Sequence, residues 1–212
     1  MDETYKILFA ALVGFTISPL NELLKKYIET WLCKKKLMRK IDSAIRSSTT
    51  AIKTLNKTSI DRGEYIKKKK IEDTLFIQPY IRFPKMEDDI EKSYATLSEI
   101  QKDSIDIAIA GLSHISKIEE RIHRLHENIR DTIHDKTYKG ESFSKEDQNT
   151  YYRRILSAEK AMIYSLVSVR QRFISAKNNT PMTTTDLENI RLASKELGIT
   201  IDTSSWQHLT IN

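Results

Sequence analysis

Glu120, His123 and His126, in the stretch "IEERIHRLHENI", are the residues whose types and spacing come nearest to a chemical site. Steps of three place a carboxylate and two imidazoles along one face of a helix, where they could ligate a metal ion. A di-metal site in a helical bundle needs a Glu-x-x-His spacing on two helices and two further inward carboxylates. The second spacing is absent. His123 and His126 also flank Ile122 and Leu125 of an apolar seam, so solvated positions are expected for them, with no metal and no cofactor. The chain has no P-loop, no glycine-rich nucleotide loop, no nucleophile elbow and no HExxH. Its serines, histidines and aspartates follow no order that would assemble a triad. The expectation is a protein that is not an enzyme.

Cations offer binding chemistry instead. Lys67, Lys68, Lys69 and Lys70 form the densest basic run, with Tyr65, Tyr80 and Arg82 nearby. Such a run suits anionic lipid headgroups, a phosphate-bearing ligand or plain solvation. Near an anionic leaflet each lysine contributes about 1 kcal/mol. The two tyrosines and Arg82 could stack on a base, which keeps a nucleotide second messenger among the possible partners. On a helix, four consecutive lysines fan out at about 100° each, which suits a leaflet better than one discrete ligand. No groove-reading motif accompanies the charge, so duplex nucleic acid is not expected. Arg153, Arg154, Arg170 and Arg172 make two pairs roughly five turns apart. They are expected to be solvated or paired with acids such as Glu159, unless oligomerisation gathers them into an anion site. Tyr151, Tyr152 and Tyr164 read as packing residues.

The elements that must carry these residues are helices. The chain has 212 residues, 30% of them charged, with only 5 Gly and 4 Pro and a formal charge of +6. That composition favours long helices over folds that need many turns. The single cysteine, Cys33, excludes an internal disulfide and a cysteine-based zinc site.

The opening segment decides location. Ile7 to Leu20 is uncharged and mostly apolar, and reaching Leu24 gives a span of roughly 27 Å at about 1.5 Å per residue. The preceding "MDETYK" is too acidic for a signal peptide. A buried core helix is the rival reading. Lys25, Lys26, Lys34, Lys35, Lys36, Arg39 and Lys40 crowd the C-terminal side, so the N-terminus should face out and the rest should be cytoplasmic, anchored by a single pass in an inner membrane. Tyr5, Tyr27 and Trp31 stand where interfacial aromatics belong. Ala10, Gly14 and Ser18 recur every fourth residue, a small-residue face that lets helices associate closely in lipid, and Glu22 continues the series. Pro19 removes one backbone hydrogen bond at that level. A homo-oligomer is expected.

Beyond the anchor, Leu20 to Arg62 has neither Gly nor Pro, and Leu37, Ile41, Ala44 or Ile45, Ser48, Ile52 and Leu55 form an apolar stripe ending before a break at Gly63. The stripe is expected to join stalks in the oligomer or to pack on the chain's own bundle. Pro79 and Pro84 impose a turn, and a short helix follows in "KMEDDIEKSYA". Ser98 with Gln101 and Thr185 with Glu188 are capping boxes. The seam of the helix after Ser98 is Ile107, Gly111, Ile115, Ile118, Ile122, Leu125, Ile129 and Ile133. Another helix spans Lys145 to Lys177, with Ile155, Met162, Leu166, Val169 and Phe173 inward. The tail from 199 reads as a short strand or a packed arm. The layout is all-α: a transmembrane anchor (1–24), a basic juxtamembrane stalk helix (25–62) and a cytoplasmic antiparallel helical bundle (63–212).

A short anchor, a basic juxtamembrane helix, a proline-bounded turn and "IEKSYATLSEIQKDSIDIAIAGLSHISKIEERI" together resemble a diffuse group of bacterial single-pass, all-helical proteins, some carried in phage-defence loci. The resemblance covers roughly residues 7–133 and rests on layout; Phe83–Pro84 followed by an acidic cluster departs from it. It implies the all-helical fold and the membrane location. The short span, the small-residue face, Glu22 and Pro19, supported by the resemblance, lead to the expectation of an antiviral membrane effector that perturbs or permeabilises the bilayer. The competing expectation is a tethered module that captures an anionic ligand, such as a cyclic nucleotide, or recruits a protein.

Overall fold

The computed structural model describes residues 3–68 and 81–203, and for 4–19 and 68 the backbone alone. Among these residues the chain is all-helical: α1 (Glu3–Lys68), α2 (Glu87–Ser93), one 3-10 turn (Tyr94–Thr96), α3 (Glu99–Tyr138), α4 (Lys145–Asn178) and α5 (Asp186–Leu197). No helix among the described residues is long and apolar enough to cross a membrane, and the expected anchor run lies largely where only the backbone is described.

The stripe of α1 is real, but it faces inward. Leu37, Ile41, Ala44, Ser48, Ile52 and Leu55 are all fully buried. They meet Ile155, Met162, Leu166, Val169 and Phe173 of α4, all buried as expected. Burying each large side chain contributes about 1.5–3 kcal/mol. The stripe is therefore spent inside the chain's own fold and is unavailable to join stalks. From Leu37 onward α1 is a helix of the bundle.

Polar pairs along the seams give the directions. Asp42 bonds Lys177, Thr49 bonds Arg170 and Arg62 bonds Glu159, so α1 and α4 run antiparallel. Gln101 donates to the carbonyl of Ala176, the hydroxyls of Ser104 and Ser175 share a hydrogen bond, and Thr132 bonds Tyr151, so α3 and α4 are antiparallel as well. α4 is the shared central helix. A Cβ on Gly111 would lie 2.4 Å from Cγ2 of Val169, so the glycine is what lets α3 and α4 approach there.

The seam of α3 starts elsewhere than its isoleucines suggest. Ile105, Ala108, Ile115, Ile118 and Ile122 are buried, whereas Ile107 and Ile133 are exposed. Small and polar residues (Gln101, Ser104, Ala108) carry the first two turns inward, because their side chains find partners on α4. The break expected at Gly63 does not occur. The helix continues to Lys68, held across that point by Arg62 on Glu159 and by Tyr65 packed edge-on against Tyr152 at 5.4 Å. The expected boxes at Ser98 and Thr185 both form, and Ser144 with Asp147 adds a third. Gly198 closes α5 at φ 64°, a left-handed cap that costs glycine nothing. Beyond it Ile201 is buried, and Asn56 donates to the carbonyl of Thr200, so this part of the tail is a packed arm. Residues 204–212 lie outside the description.

α2 is docked by charge. The Asp89 carboxylate is buried yet bonded by Lys36 at 3.0 Å and by Lys40. Burial pushes its pKa up, but the hydrogen bonds from Lys40 and Lys36 outweigh this and hold the carboxyl below its ordinary value. A depressed carboxyl contributes stability above its unfolded pKa and loses it as the pH falls through the folded one. Docking of α2 should therefore be flat from neutral pH down to about pH 4 and fail below it. Hydrogen exchange of the α2 amides reads this, and Asp89→Asn should abolish the acid step. An unchanged acid profile in that variant would assign the transition to other groups.

Candidate functional site

The described part of the expected anchor is its C-terminal end. Leu20, Leu23, Leu24, Tyr27, Ile28, Trp31 and Leu32 are all at least half exposed. At about 100° per residue, Leu20, Leu24, Tyr27 and Trp31 point one way, and the buried stripe from Leu37 to Leu55 points roughly 100° away from it. The exposed face is thus not an overhang of the bundle's own seam. Among the described residues nothing covers it. Glu22, Lys25, Lys26 and Glu29 occupy the opposite side of these turns and are exposed. Of Ala10, Gly14 and Ser18 the backbone alone is described.

The basic residues expected to meet a leaflet divide into two groups. Lys25 and Lys26 have no partner among the described residues. Lys34 donates to the carbonyl of Thr96 at 2.7 Å, Lys36 bonds Asp89, and Lys40 bonds the carbonyl of Lys85 as well as Asp89. Lys35 lies 5.2 Å from the ring centre of Trp31, a cation–π contact at the edge of the apolar face. Part of the basic segment therefore anchors α2 and the turn after it.

Of the lysine run, Lys67 is exposed, the side chain of Lys68 is undescribed, and Lys69, Lys70 and Tyr80 lie outside the description. Lys67 lines a cleft of about 500 Å³ with Asn56, Glu64, Arg153, Lys160 and Asp202. Two acids stand among its cations, and Lys160 is bonded to Asp202 at 2.7 Å. Tyr65 is half-buried, packs edge-on with Tyr152 at 5.4 Å and donates its hydroxyl to Gln148. Arg82 is exposed and lines a second cleft, of about 400 Å³, against α1.

The arginines of α4 separate as well. Arg153 and Arg154 are exposed and do not engage Glu159. Arg62 takes Glu159 instead, through Nε to Oε2 at 3.0 Å and Nη2 to Oε1 at 2.9 Å, with both side chains 1% exposed. Sequence reading missed this pair, although Arg62 and Glu159 both fall in register with the core positions of their helices. Arg170 bonds Thr49 and Glu196. The Glu120–His123–His126 set disperses: His126 bonds the carbonyl of Ile122, His123 meets Glu127 at 3.4 Å and Glu120 pairs with Arg124. Among the described residues no group of three or more His, Cys, Asp or Glu could hold a metal ion.

Comparison with protein-family models, curated proteins and solved structures returned no match.

Proposed function

We propose that the chain is a membrane-anchored, non-enzymatic effector that works as a homo-oligomer, its N-terminal helix in an inner membrane and its helical bundle on the cytoplasmic side. The observation that carries this reading is the apolar face from Leu20 to Leu32, which prolongs the uncharged run from Ile7 and turns away from the bundle core. Exposed apolar surface of that extent needs an apolar partner. Lipid supplies one for the continuous run, and lysines at its bundle-side edge match the charge bias of a cytoplasmic flank. The small-residue face Ala10–Gly14–Ser18 supports helix association within the bilayer. With the core stripe spent inside the bundle, self-association falls to this membrane face. Perturbation of the bilayer by the oligomer is the proposed action, and the layout resemblance suggests antiviral defence as its setting.

Dye release from liposomes carrying the full chain, paired with cross-linking, tests this. Gly14→Ile should reduce both cross-linked oligomers and leakage about tenfold, because a branched side chain holds the backbones apart. Leakage undiminished by that change, or none from the unaltered chain, would reject the oligomeric effector.

A further inference from the structure

We infer that the outer face of α1 is a track for single-stranded nucleic acid, held by its phosphates. The face opposite the buried stripe from Leu37 to Leu55 carries Lys35, Arg39, Arg46, Lys53 and Lys57, all exposed. Arg39, Arg46 and Lys53 recur every seventh residue, so they line up along the helix, and the whole row is about 33 Å long. No acid stands within it. Asp42 at its edge is engaged by Lys177, and Glu196, brought beside Thr49 by their shared Arg170, is engaged as well. Among the described residues none of the five cations forms an ion pair, and Lys35 meets only the ring of Trp31. The cations of α3 are placed differently: Lys102, Arg124, Arg130 and Lys136 each meet an acid. A surface that mixes both signs exerts little pull on a partner, whereas a row of one sign draws a polyanion.

Magnitudes select the polyanion. Exposed pairs with the carboxylates of an acidic protein contribute little. A nucleic acid instead releases condensed counterions as lysines and arginines replace them, and that release drives binding without an apolar anchor. Residues 39–57 include no aromatic side chain on which bases could stack, so the strand is held without being read. An extended single strand can follow a straight row, while each strand of a duplex makes a full turn within about 34 Å and leaves it. A leaflet would meet only the near end of the row on an upright, anchored α1. The track itself stands apart from the membrane reading, because from Leu37 onward α1 belongs to the folded bundle.

Fluorescence anisotropy tests this with the full chain in neutral detergent, a labelled oligodeoxythymidylate and a mixed-sequence strand of equal length. Both strands should bind alike, with the logarithm of the affinity falling against that of salt at a slope of about −3.5, or about 0.7 for each of five phosphates. Arg46→Gln combined with Lys53→Gln should flatten the slope by about 1.4 and weaken binding about tenfold. The thermal midpoint should stay in place, since both side chains are exposed. Lys117→Gln with Arg121→Gln removes the same charge from exposed positions of α3 and should leave affinity and slope unchanged. No binding, or equal losses in the two double variants, would overturn the track. Tighter binding of the duplex form would overturn the single strand. Tighter binding of poly-glutamate, or of mixed micelles containing phosphatidylserine, through Arg46 and Lys53 would replace the nucleic acid with an acidic protein or a leaflet.

Discussion

Replacing Glu159 with alanine should remove about 3–5 kcal/mol of stability, the cost of stranding one partner of a buried ion pair. Arg62 and Glu159 are each 1% exposed and joined by two parallel hydrogen bonds, so the variant leaves a guanidinium out of water with its counter-charge gone. The ring of Tyr152, 5.3 Å from the Arg62 guanidinium carbon, cannot replace a carboxylate. For a chain of this size the thermal midpoint should fall by about 10 °C. The pair is nonetheless a poor source of net stability, because desolvating two ions offsets most of their attraction. Arg62→Met with Glu159→Leu should therefore recover most of the loss. Denaturant unfolding of the two variants gives both values. A Glu159→Ala midpoint within about 2 °C of the unaltered chain would show that water reaches the pair.

Placing Asp at both Leu12 and Phe15 should abolish membrane retention. Each carboxylate near the centre of a span costs about 2.5–3.5 kcal/mol, and a run this short has no reserve of apolar residues to offset two of them. After alkaline extraction the double variant should leave the membrane fraction, and liposome leakage should be lost with it. The bundle should keep its thermal midpoint, since among the described residues its core begins at Leu37. Retention of the double variant in the membrane would rule out the N-terminal run as an anchor. A collapsed midpoint would instead mean that this run is buried against the bundle.

Local signals carried much of the fold. The boxes at Ser98 and Thr185 depend on side chains three residues from the cap, so spacing alone located two helix starts. The one at Ser144 uses Asp147, a shorter acid than the usual Glu or Gln, and spacing passed over it. Periodicity found the buried face of α4 and the stripe of α1 from Leu37 to Leu55. It misjudged α3, where isoleucines suggested a seam through Ile107 while buried Ser104 and Gln101 took the inward positions. Hydrophobicity cannot register a polar side chain whose partner lies on another helix.

By itself, the sequence determined the all-helical character of the described residues, two of the capping boxes, the inward stripes of α1 and α4 and an uncharged N-terminal run followed by lysines. Each of these is written within a few turns of one helix, where side-chain spacing and backbone geometry act together. Only the tertiary structure decided what those stripes and charges face. It turned the α1 stripe onto α4, joined Arg62 to Glu159 and gave Lys36 and Lys40 to Asp89. These partners are tens of residues apart in the chain, and the packing of whole helices, which no local pattern encodes, brings them within bonding distance.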